Sequence, residues 1–286
     1  MKVTVFGATG VIGRALIPLL AEHEVTAVSR SERDERGARY VVADAARGEG
    51  VPAALEGADV VYYLVHSLGA RDFEEQDRAA AETVAREASK AGVRQIVYLG
   101  GLGADDPHAS PHLRSRRETG ERLSSAGVPV TTLRAAMVIG KGSAAFETIL
   151  GLVKRLPVMV TPSWVSTPTQ PIALDDVARY LAGVCGLEVT FGEAYDTGGP
   201  EVMTYREMIE RIAGLLNRKP AIVEVPLLTP YLSSLWLNLV TPVSASVARP
   251  LVEGLRNPTV AREERIRKLV PLELTPFEEA ARRALA

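Results

Sequence analysis

Residues 3–13 read VTVFGATGVIG, and this stretch decides the fold. The apolar, β-branched run Val3–Phe6 predicts a strand that enters a glycine-rich turn, and a helix follows the turn. Three glycines in this context predict a phosphate-binding turn. Gly7 permits a tight exit from the strand, Gly10 lets the backbone approach a pyrophosphate, and Gly13 lets the helix pack closely on the sheet.

The amino end of the predicted helix offers unpaired backbone amides to a diphosphate, which the helix dipole also favours. Four more residues of this segment are therefore candidate cofactor contacts: Thr9, Val11, Ile12 and Arg14. The alternative is a structural turn between strand and helix that binds no ligand.

Apolar runs and amphipathic segments alternate along the first half of the chain. The predicted strands are Val3–Phe6, Val25–Val28, Tyr40–Val42, Val60–Val65, Gln95–Leu99 and Val130–Leu133. Because these runs are apolar throughout, we expect a parallel sheet that is covered on both faces. The sequence therefore predicts an α/β, doubly wound Rossmann fold, with a nucleotide at the carboxyl ends of the strands.

The alternation loosens after about Gly140, where prolines separate short extended pieces, and a further helix is predicted to start at Asp175-Asp176. We expect residues 1–165 to form the Rossmann dinucleotide-binding core. Residues 166–286 are expected to form a smaller C-terminal substrate-binding cap, interleaved with the last elements of the core.

Composition narrows the class of partner and the location. The 286 residues carry a formal net charge of -2 and no basic stripe, which argues against nucleic acid as the main partner. Cys185 is the one cysteine, so an intramolecular disulfide is impossible. The chain opens directly on the first strand without a signal segment, and we expect a cytoplasmic protein.

The stretch 225–248 contains no charged side chain and is long enough to cross a bilayer. Pro226, Pro230 and Pro242 interrupt it, and polar residues dilute it, which argues against a transmembrane helix. We expect buried helices around an apolar pocket, and peripheral membrane contact stays open.

The end of the second strand bears on the choice of nucleotide. It reads Val28-Ser29-Arg30-Ser31, where a site for NAD(H) usually has a carboxylate for the ribose hydroxyls. The Arg30 guanidinium and the Ser29 hydroxyl suit a 2′-phosphate, so NADP(H) is favoured and NAD(H) remains possible. Arg30 could instead stack on adenine or face water. Asp44 is a candidate acceptor for the adenine amino group, or a helix cap.

The chain resembles the atypical short-chain dehydrogenase/reductases, particularly the NmrA-like NAD(P)H-binding proteins, over nearly its whole length. The resemblance rests on the glycine turn and on three further segments: VYYLVHS at 61–67, YLGGLG at 98–103 and HLRSR at 112–116. It implies a Rossmann domain with a smaller C-terminal substrate region. The wider superfamily reduces carbonyls with a serine and a Tyr-x-x-x-Lys pair, but these positions here hold Gly100-Gly101, His112 and Arg116.

His112 and Arg116 lie four residues apart, so a helix would place them on one face. His112 is the candidate general acid after hydride transfer, although a neighbouring cation would lower its pKa and weaken that role. Arg116 is the candidate for holding the nicotinamide ribose. Alternatively, His112 is a surface residue at the start of a helix, and Arg116 is one of several exposed arginines.

Other candidates lie near the ends of the fourth and sixth strands. Val65 and His66 end the fourth strand, where nucleotide and substrate would meet, although His66 could equally be structural. The resemblance places Ala135 beneath the nicotinamide. Candidate walls of an apolar pocket, which could also be ordinary core, are Met137, Trp164, Tyr231 and Trp236. The four histidines have no spacing that predicts a metal site.

These features favour an oxidoreductase that transfers hydride from NADPH to a small apolar quinone, enone or carbonyl compound. The alternative is a binding protein that senses NADP(H) or uses it as a structural ligand in an assembly, which the missing serine and tyrosine would explain. An epimerase or dehydratase is less favoured because its usual tyrosine base is absent. The substrate and the oligomeric state stay open.

Overall fold

The structure is a computed structural model that describes residues 1–33, 38–67, 72–225 and 245–286. Its described strands are β1 (Lys2–Phe6), β2 (Glu24–Ser29), β3 (Arg39–Val42), β4 (Val60–Tyr63), β5 (Gln95–Gly101), β6 (Val130–Ala135), β7 (Val138–Ile139), β8 (Val158–Thr161), β9 (Pro168–Thr169), β10 (Ile172–Ala173), β11 (Ala194–Thr197), β12 (Met203–Thr204) and β13 (Ala221–Glu224).

The described helices connect these strands and cover the sheet. They are α1 (Val11–Leu16), α2 (Val51–Ala54), α3 (Phe73–Lys90), α4 (Pro111–Ser124), α5 (Ala144–Arg155), α6 (Leu174–Gly183), α7 (Tyr205–Leu215), α8 (Ala245–Gly254), α9 (Arg265–Leu269) and α10 (Phe277–Leu285). Short 3₁₀ helices lie at Ile17–Leu20, Ser163–Ser166 and Glu188–Thr190.

Seven parallel strands form the central sheet, in the order β3-β2-β1-β4-β5-β6-β11. The six strands predicted from sequence are all present, and the predicted α/β doubly wound Rossmann fold is confirmed. The seventh strand, β11, was not among the predictions. Strand order reverses between β1 and β4, which is where ligands bind in sheets of this class.

Neighbouring residues of β1 and β4 bury their side chains on opposite faces of the sheet. Tyr62 packs in the core that contains Leu16 of α1 and Val177 of α6. Tyr63 packs in the core that contains Val84 of α3. Because both faces are covered by helices, the sheet strands need apolar residues at successive positions, which explains the uninterrupted apolar runs.

A third core lies beside the sheet and is built by segments from the second half of the chain. It contains Phe146 and Val153 of α5, Ile209 of α7 and Ala281 of α10. Trp164 is buried in this core, and the centres of the Trp164 and Tyr205 rings lie 6.0 Å apart. Of the two interpretations of Trp164, the structure therefore supports an ordinary core residue.

Several element boundaries differ from the sequence predictions by one or two residues. Helix α6 begins at Leu174, one residue before the predicted start. Strand β4 ends at Tyr63 rather than Val65, although the Leu64 backbone N–H still donates to the Phe6 carbonyl at 2.9 Å. Val65 and His66 therefore lie in the loop after β4.

None of the helices that the structure describes is long and apolar enough to cross a membrane. Most of the uncharged stretch 225–248, with the candidate wall residues Tyr231 and Trp236, lies outside the described residues.

Candidate active site

The glycine turn has the backbone geometry that the sequence predicted. Gly7 has φ +84°, a conformation that favours glycine, and a Cβ there would lie 2.7 Å from the Leu64 carbonyl oxygen. A Cβ on Gly13 would collide with the Gly7 carbonyl, because α1 packs directly on the turn. Gly10 is the N-cap of α1 and provides no side-chain cap, so the first amides of the helix are left for a ligand.

A cleft of about 530 Å³ lies at the carboxyl edge of the sheet. Gly7, Thr9 and Gly10 line it from the turn, and the loops after β2, β3 and β4 complete its walls. Predicted cofactor contacts at the end of β2 and in those loops also line the cleft, namely Ser29, Arg30, Asp44, Val65 and His66. The fold thus brings together residues that are widely separated in sequence. We call this the dinucleotide cleft.

The end of the dinucleotide cleft formed by β2 and β3 carries the groups that bear on nucleotide choice. Arg30 is exposed and lines the cleft. Ser29 is buried, and its Oγ accepts the Ser31 backbone N–H at 3.3 Å. One oxygen of Asp44 accepts the Ala46 backbone N–H at 2.9 Å, so this carboxylate helps to shape its own turn.

A second cavity, of about 420 Å³, adjoins the first, since His66 lines both. Its described lining is mostly apolar and comes from the start of α1, the ends of β5 and β6, α4, α5, α7 and α8. Val11, Ile12, His112, Ala135 and Met137 lie in this lining. We call it the apolar cavity. Three predicted contacts lie elsewhere: Gly13 is buried beneath the turn, Arg14 is exposed on α1, and Arg116 lies on α4.

The position that holds serine in the wider superfamily is glycine here, so it presents only backbone atoms. A Cβ on Gly101 would lie 3.0 Å from Cδ2 of Leu113, so even a small side chain would press on α4. Gly101 and Leu113 instead form part of the wall of the apolar cavity.

His112 enters this wall from the first turn of α4. Ser110 is the N-cap of α4, its Oγ accepts the Leu113 backbone N–H at 3.3 Å, and Pro111 occupies the first turn. Nδ1 of His112 lies 3.2 Å from Nε2 of His66. The helix start predicted for His112 is therefore present, and it directs the ring to a partner rather than to open solvent.

Asp77 is the site residue that the sequence reasoning missed. Its Oδ2 lies 2.7 Å from Nδ1 of His66, and its Oδ1 accepts the Ser67 backbone N–H at 2.8 Å. Ser115 Oγ also donates to Oδ2, at 3.4 Å. One signal could have found this carboxylate: Asp77 occupies the buried stripe of α3 that continues with Ala80, Ala81, Val84 and Ala88. A carboxylate in such a stripe needs buried partners.

The electrostatics of this cluster keep both imidazoles uncharged at neutral pH. Burial lowers the pKa of His112 to about 3, and the nearby His66 and Arg116 add to the effect. Burial also lowers the pKa of His66, against the opposing effect of its hydrogen bond to Asp77. Burial raises the pKa of Asp77, but hydrogen bonds from His66 and Ser67 outweigh this and hold that pKa below its usual value.

The Arg116 side chain lies against Tyr98. Its guanidinium carbon is 4.9 Å from the centre of the Tyr98 ring, and the Tyr98 hydroxyl donates to the Arg116 carbonyl at 2.7 Å. Arg116 is not among the described residues that line either cavity. Its charge reaches His112 through space, as the sequence anticipated.

The glycine turn, the strand order and the cleft at the carboxyl edge define a dinucleotide-binding protein of the Rossmann class. Residues 7–148 match the family model described as NAD(P)H-binding. This part of the chain is therefore an NAD(P)H-binding domain, which confirms the NAD(P)H-binding part of the resemblance predicted from the sequence.

Two curated relatives extend this match beyond the domain. The chain is 26% identical over 240 residues to the mitochondrial NADH dehydrogenase (ubiquinone) 1 alpha subcomplex subunit 9 of Arabidopsis thaliana, covering 78% of this chain and 60% of that relative. The chain thus spans less than two thirds of that relative's length. It is 29% identical over 224 residues to (4-alkanoyl-5-oxo-2,5-dihydrofuran-3-yl)methyl phosphate reductase of Streptomyces griseus, covering 76% of this chain and 74% of the relative.

Among solved structures, the fold is similar to that of the Citrobacter sp. triphenylmethane reductase complexed with NADP(H). The TM-score is 0.78 at 18% sequence identity, and the match covers 99% of this chain and all of the other. At this identity the likeness concerns the fold alone.

Proposed function

We propose that this protein is an NADP(H)-dependent oxidoreductase that transfers hydride between the nucleotide and a small apolar substrate, an unidentified quinone, enone or carbonyl compound. The observation that carries the proposal is the apolar cavity of about 420 Å³ that adjoins the dinucleotide cleft at His66. A substrate in that cavity would lie beside the nucleotide's reactive end, and proximity alone supplies much of the rate of such a transfer.

The residues of the dinucleotide cleft fit the proposed nucleotide. The turn leaves the backbone amides at the start of α1 uncapped. A Cβ on Gly10 would lie 3.2 Å from the Gly7 carbonyl oxygen, so the glycine leaves room for a ligand at this point of the turn. Thr9 and the turn glycines would hold the diphosphate, and Arg30 and Ser29 the 2′-phosphate that favours NADP(H) over NAD(H). When bound, the nicotinamide supplies or accepts the hydride.

The chain's own groups suggest what kind of substrate reacts. The described cavity wall has no serine or tyrosine at the superfamily's catalytic positions, which hold Gly101 and His112. Quinones and activated enones accept hydride with little acid catalysis, so the absence of the serine and tyrosine matters less for them than for a ketone. Arg116 would act on the site through its charge.

A spectrophotometric assay tests the proposal directly. Purified protein should bind NADPH and should consume it in the presence of at least one member of a panel of quinones, enones and ketones. Binding without consumption across the panel would contradict the oxidoreductase. Failure to bind NADPH or NADH would contradict both this proposal and the next.

The second candidate is a non-catalytic NADP(H)-binding protein that senses redox state or supports an assembly. The match to a relative named as a subunit of an NADH dehydrogenase favours it, together with glycine at the serine position. Nucleotide binding with no turnover, accompanied by a nucleotide-dependent change in the C-terminal residues, would support it. The cytoplasmic location and the assignment of residues 166–286 to substrate binding stay predictions.

A further inference from the structure

A line of hydrogen bonds runs from a buried carboxylate to the wall of the apolar cavity. Asp77 is 2% exposed, and it contacts Nδ1 of His66 at 2.7 Å. Nε2 of His66 contacts Nδ1 of His112 at 3.2 Å, and His112 lines the cavity. Helix α3, the loop after β4 and helix α4 each supply one member of this line.

The partners of Asp77 decide which ring nitrogens carry protons. Its Oδ1 accepts the Ser67 N–H, and its Oδ2 faces His66. An ionised carboxylate only accepts hydrogen bonds, so Nδ1 of His66 must carry a proton. A neutral imidazole has a single N–H, which makes Nε2 of His66 an acceptor and requires the proton of His112 on Nδ1. Nε2 of His112 is then left as a lone pair.

We propose that Asp77, His66 and His112 form a proton relay in which Nε2 of His112 accepts the hydroxyl proton of an alcohol substrate in the apolar cavity. The inference rests on the proposed hydride transfer and narrows its substrate class to a carbonyl compound and the corresponding alcohol. His112 is the residue that touches the substrate, and His66 and Asp77 are positioning residues.

The step balances in both directions. On oxidation, the substrate O–H bond breaks and an N–H bond forms at Nε2 of His112, while the Nδ1 proton of His112 passes to Nε2 of His66. The hydride leaves the alcohol carbon for the oxidised nicotinamide nucleotide, so the substrate loses two electrons and the nucleotide gains them. Reduction of the carbonyl runs the same transfers backwards.

Passing the proton onward places the positive charge where the structure stabilises it best. A charge kept on His112 is opposed by burial and by Arg116, which lies one helical turn along α4. A charge on His66 lies 2.7 Å from the Asp77 carboxylate. A buried cation is tolerated when it is paired in this way.

The tautomers can be measured by ¹⁵N NMR of the imidazole rings in the nucleotide-free protein at neutral pH. His66→Gln and His112→Gln each remove one ring's signals and so assign them. We expect both wild-type rings to be protonated on Nδ1 and unprotonated on Nε2. A wild-type His112 ring protonated on Nε2 would overturn the relay, and this measurement needs no variant of Asp77.

Asp77→Asn should reverse the polarity of the whole line. The Ser67 N–H needs an acceptor, so the Asn oxygen would take that place and its amide N–H would face His66. Both rings would then move their protons to Nε2, turning His112 from an acceptor into a donor. Asp176→Asn is the matched control, because Asp176 is fully buried and accepts from Thr275. Unchanged tautomers in Asp77→Asn would contradict the relay.

Turnover measurements test the relay independently of the NMR experiment. With NADP⁺ and alcohols, kcat should fall about 100-fold in Asp77→Asn, the size typical of lost proton-transfer catalysis, with an unchanged Kd for the nucleotide. Wild-type turnover of quinones but of no alcohol or carbonyl compound would contradict the substrate class. An absence of any turnover, with the expected NMR tautomers, would overturn the proposed function and the catalytic use of the line while leaving the hydrogen-bond assignment intact.

Discussion

The dinucleotide cleft and the apolar cavity meet at His66 but are built in different ways. Backbone forms most of the part of the cleft that would bind the diphosphate, namely Gly7, Gly10 and the first turn of α1. Side chains from distant segments form much of the cavity, and its two histidines come from α4 and from the loop after β4. A backbone site depends on a contiguous motif, whereas a side-chain site depends on how elements pack. Mutations should therefore separate nucleotide binding from chemistry.

The largest expected effect is on the backbone site. Gly10→Val would place a branched side chain where the diphosphate is expected to approach, and NADPH affinity should fall about 100-fold, equivalent to ~2.7 kcal/mol. Valine can adopt the φ of -74° at Gly10, and its Cβ would lie 3.2 Å from the Gly7 carbonyl oxygen, so a small shift of the turn should suffice and the fold should persist. Calorimetric titration measures the affinity. Gly214→Ala is the control, since nothing lies within 4 Å of its added Cβ and binding should not change.

A change confined to the apolar cavity should do the opposite. His112→Gln removes the imidazole but keeps a polar side chain, and we expect kcat to fall about 100-fold, the lower end of the range for loss of acid–base catalysis. The Kd for NADPH should stay within about twofold, or under ~0.5 kcal/mol, because His112 does not line the dinucleotide cleft. Steady-state kinetics beside the same titration separates the two. Equal loss of affinity and turnover would show that His112 serves the cleft instead.

The nucleotide preference is a third test of the cleft. Arg30→Ala should weaken NADPH binding about 10-fold, or ~1.4 kcal/mol, while NADH binding changes little, because only NADPH carries the 2′-phosphate. Arg94→Ala is a suitable control, since Arg94 is exposed and pairs with Glu188 on the surface. If both nucleotides lose affinity equally, Arg30 stacks on adenine rather than reading the phosphate.

The contrast between a backbone site and a side-chain site also explains which features could be predicted from the sequence. The glycine turn and six sheet strands were predicted because their signals are local: a spaced glycine motif and uninterrupted apolar runs. Strand β11 is short, and its residues Ala194–Thr197 include Asp196, so its pattern is weaker. Asp77 was missed because its role depends on the packing of α3 against His66. Arg116 shares a helix face with His112, but its stacking on Tyr98 could not be read from spacing.

A further expected effect is a pH dependence of stability, to which His112 and His66 contribute with the same sign because the pKa of each is lowered in the folded protein. The pKa of His112 is lowered to about 3 in the folded protein and returns to its usual value of 6.5 on unfolding. Between these values the unfolded chain binds the extra proton, so the free energy of unfolding should fall as pH drops below 6.5. One proton contributes a slope of at most ~1.4 kcal/mol per pH unit.

Denaturant titrations of wild type and His112→Gln measure the fall in the free energy of unfolding from pH 7 to pH 5, which should be smaller in the variant by about 2 kcal/mol. Asp77 adds no slope there, because its pKa is lowered from 3.8 and its contribution is lost only at still lower pH. Gly10→Val should keep the wild-type slope, since the glycine turn holds no group that titrates in this interval. Identical slopes in wild type and His112→Gln would mean that the ring is hydrated and not buried in the cavity wall.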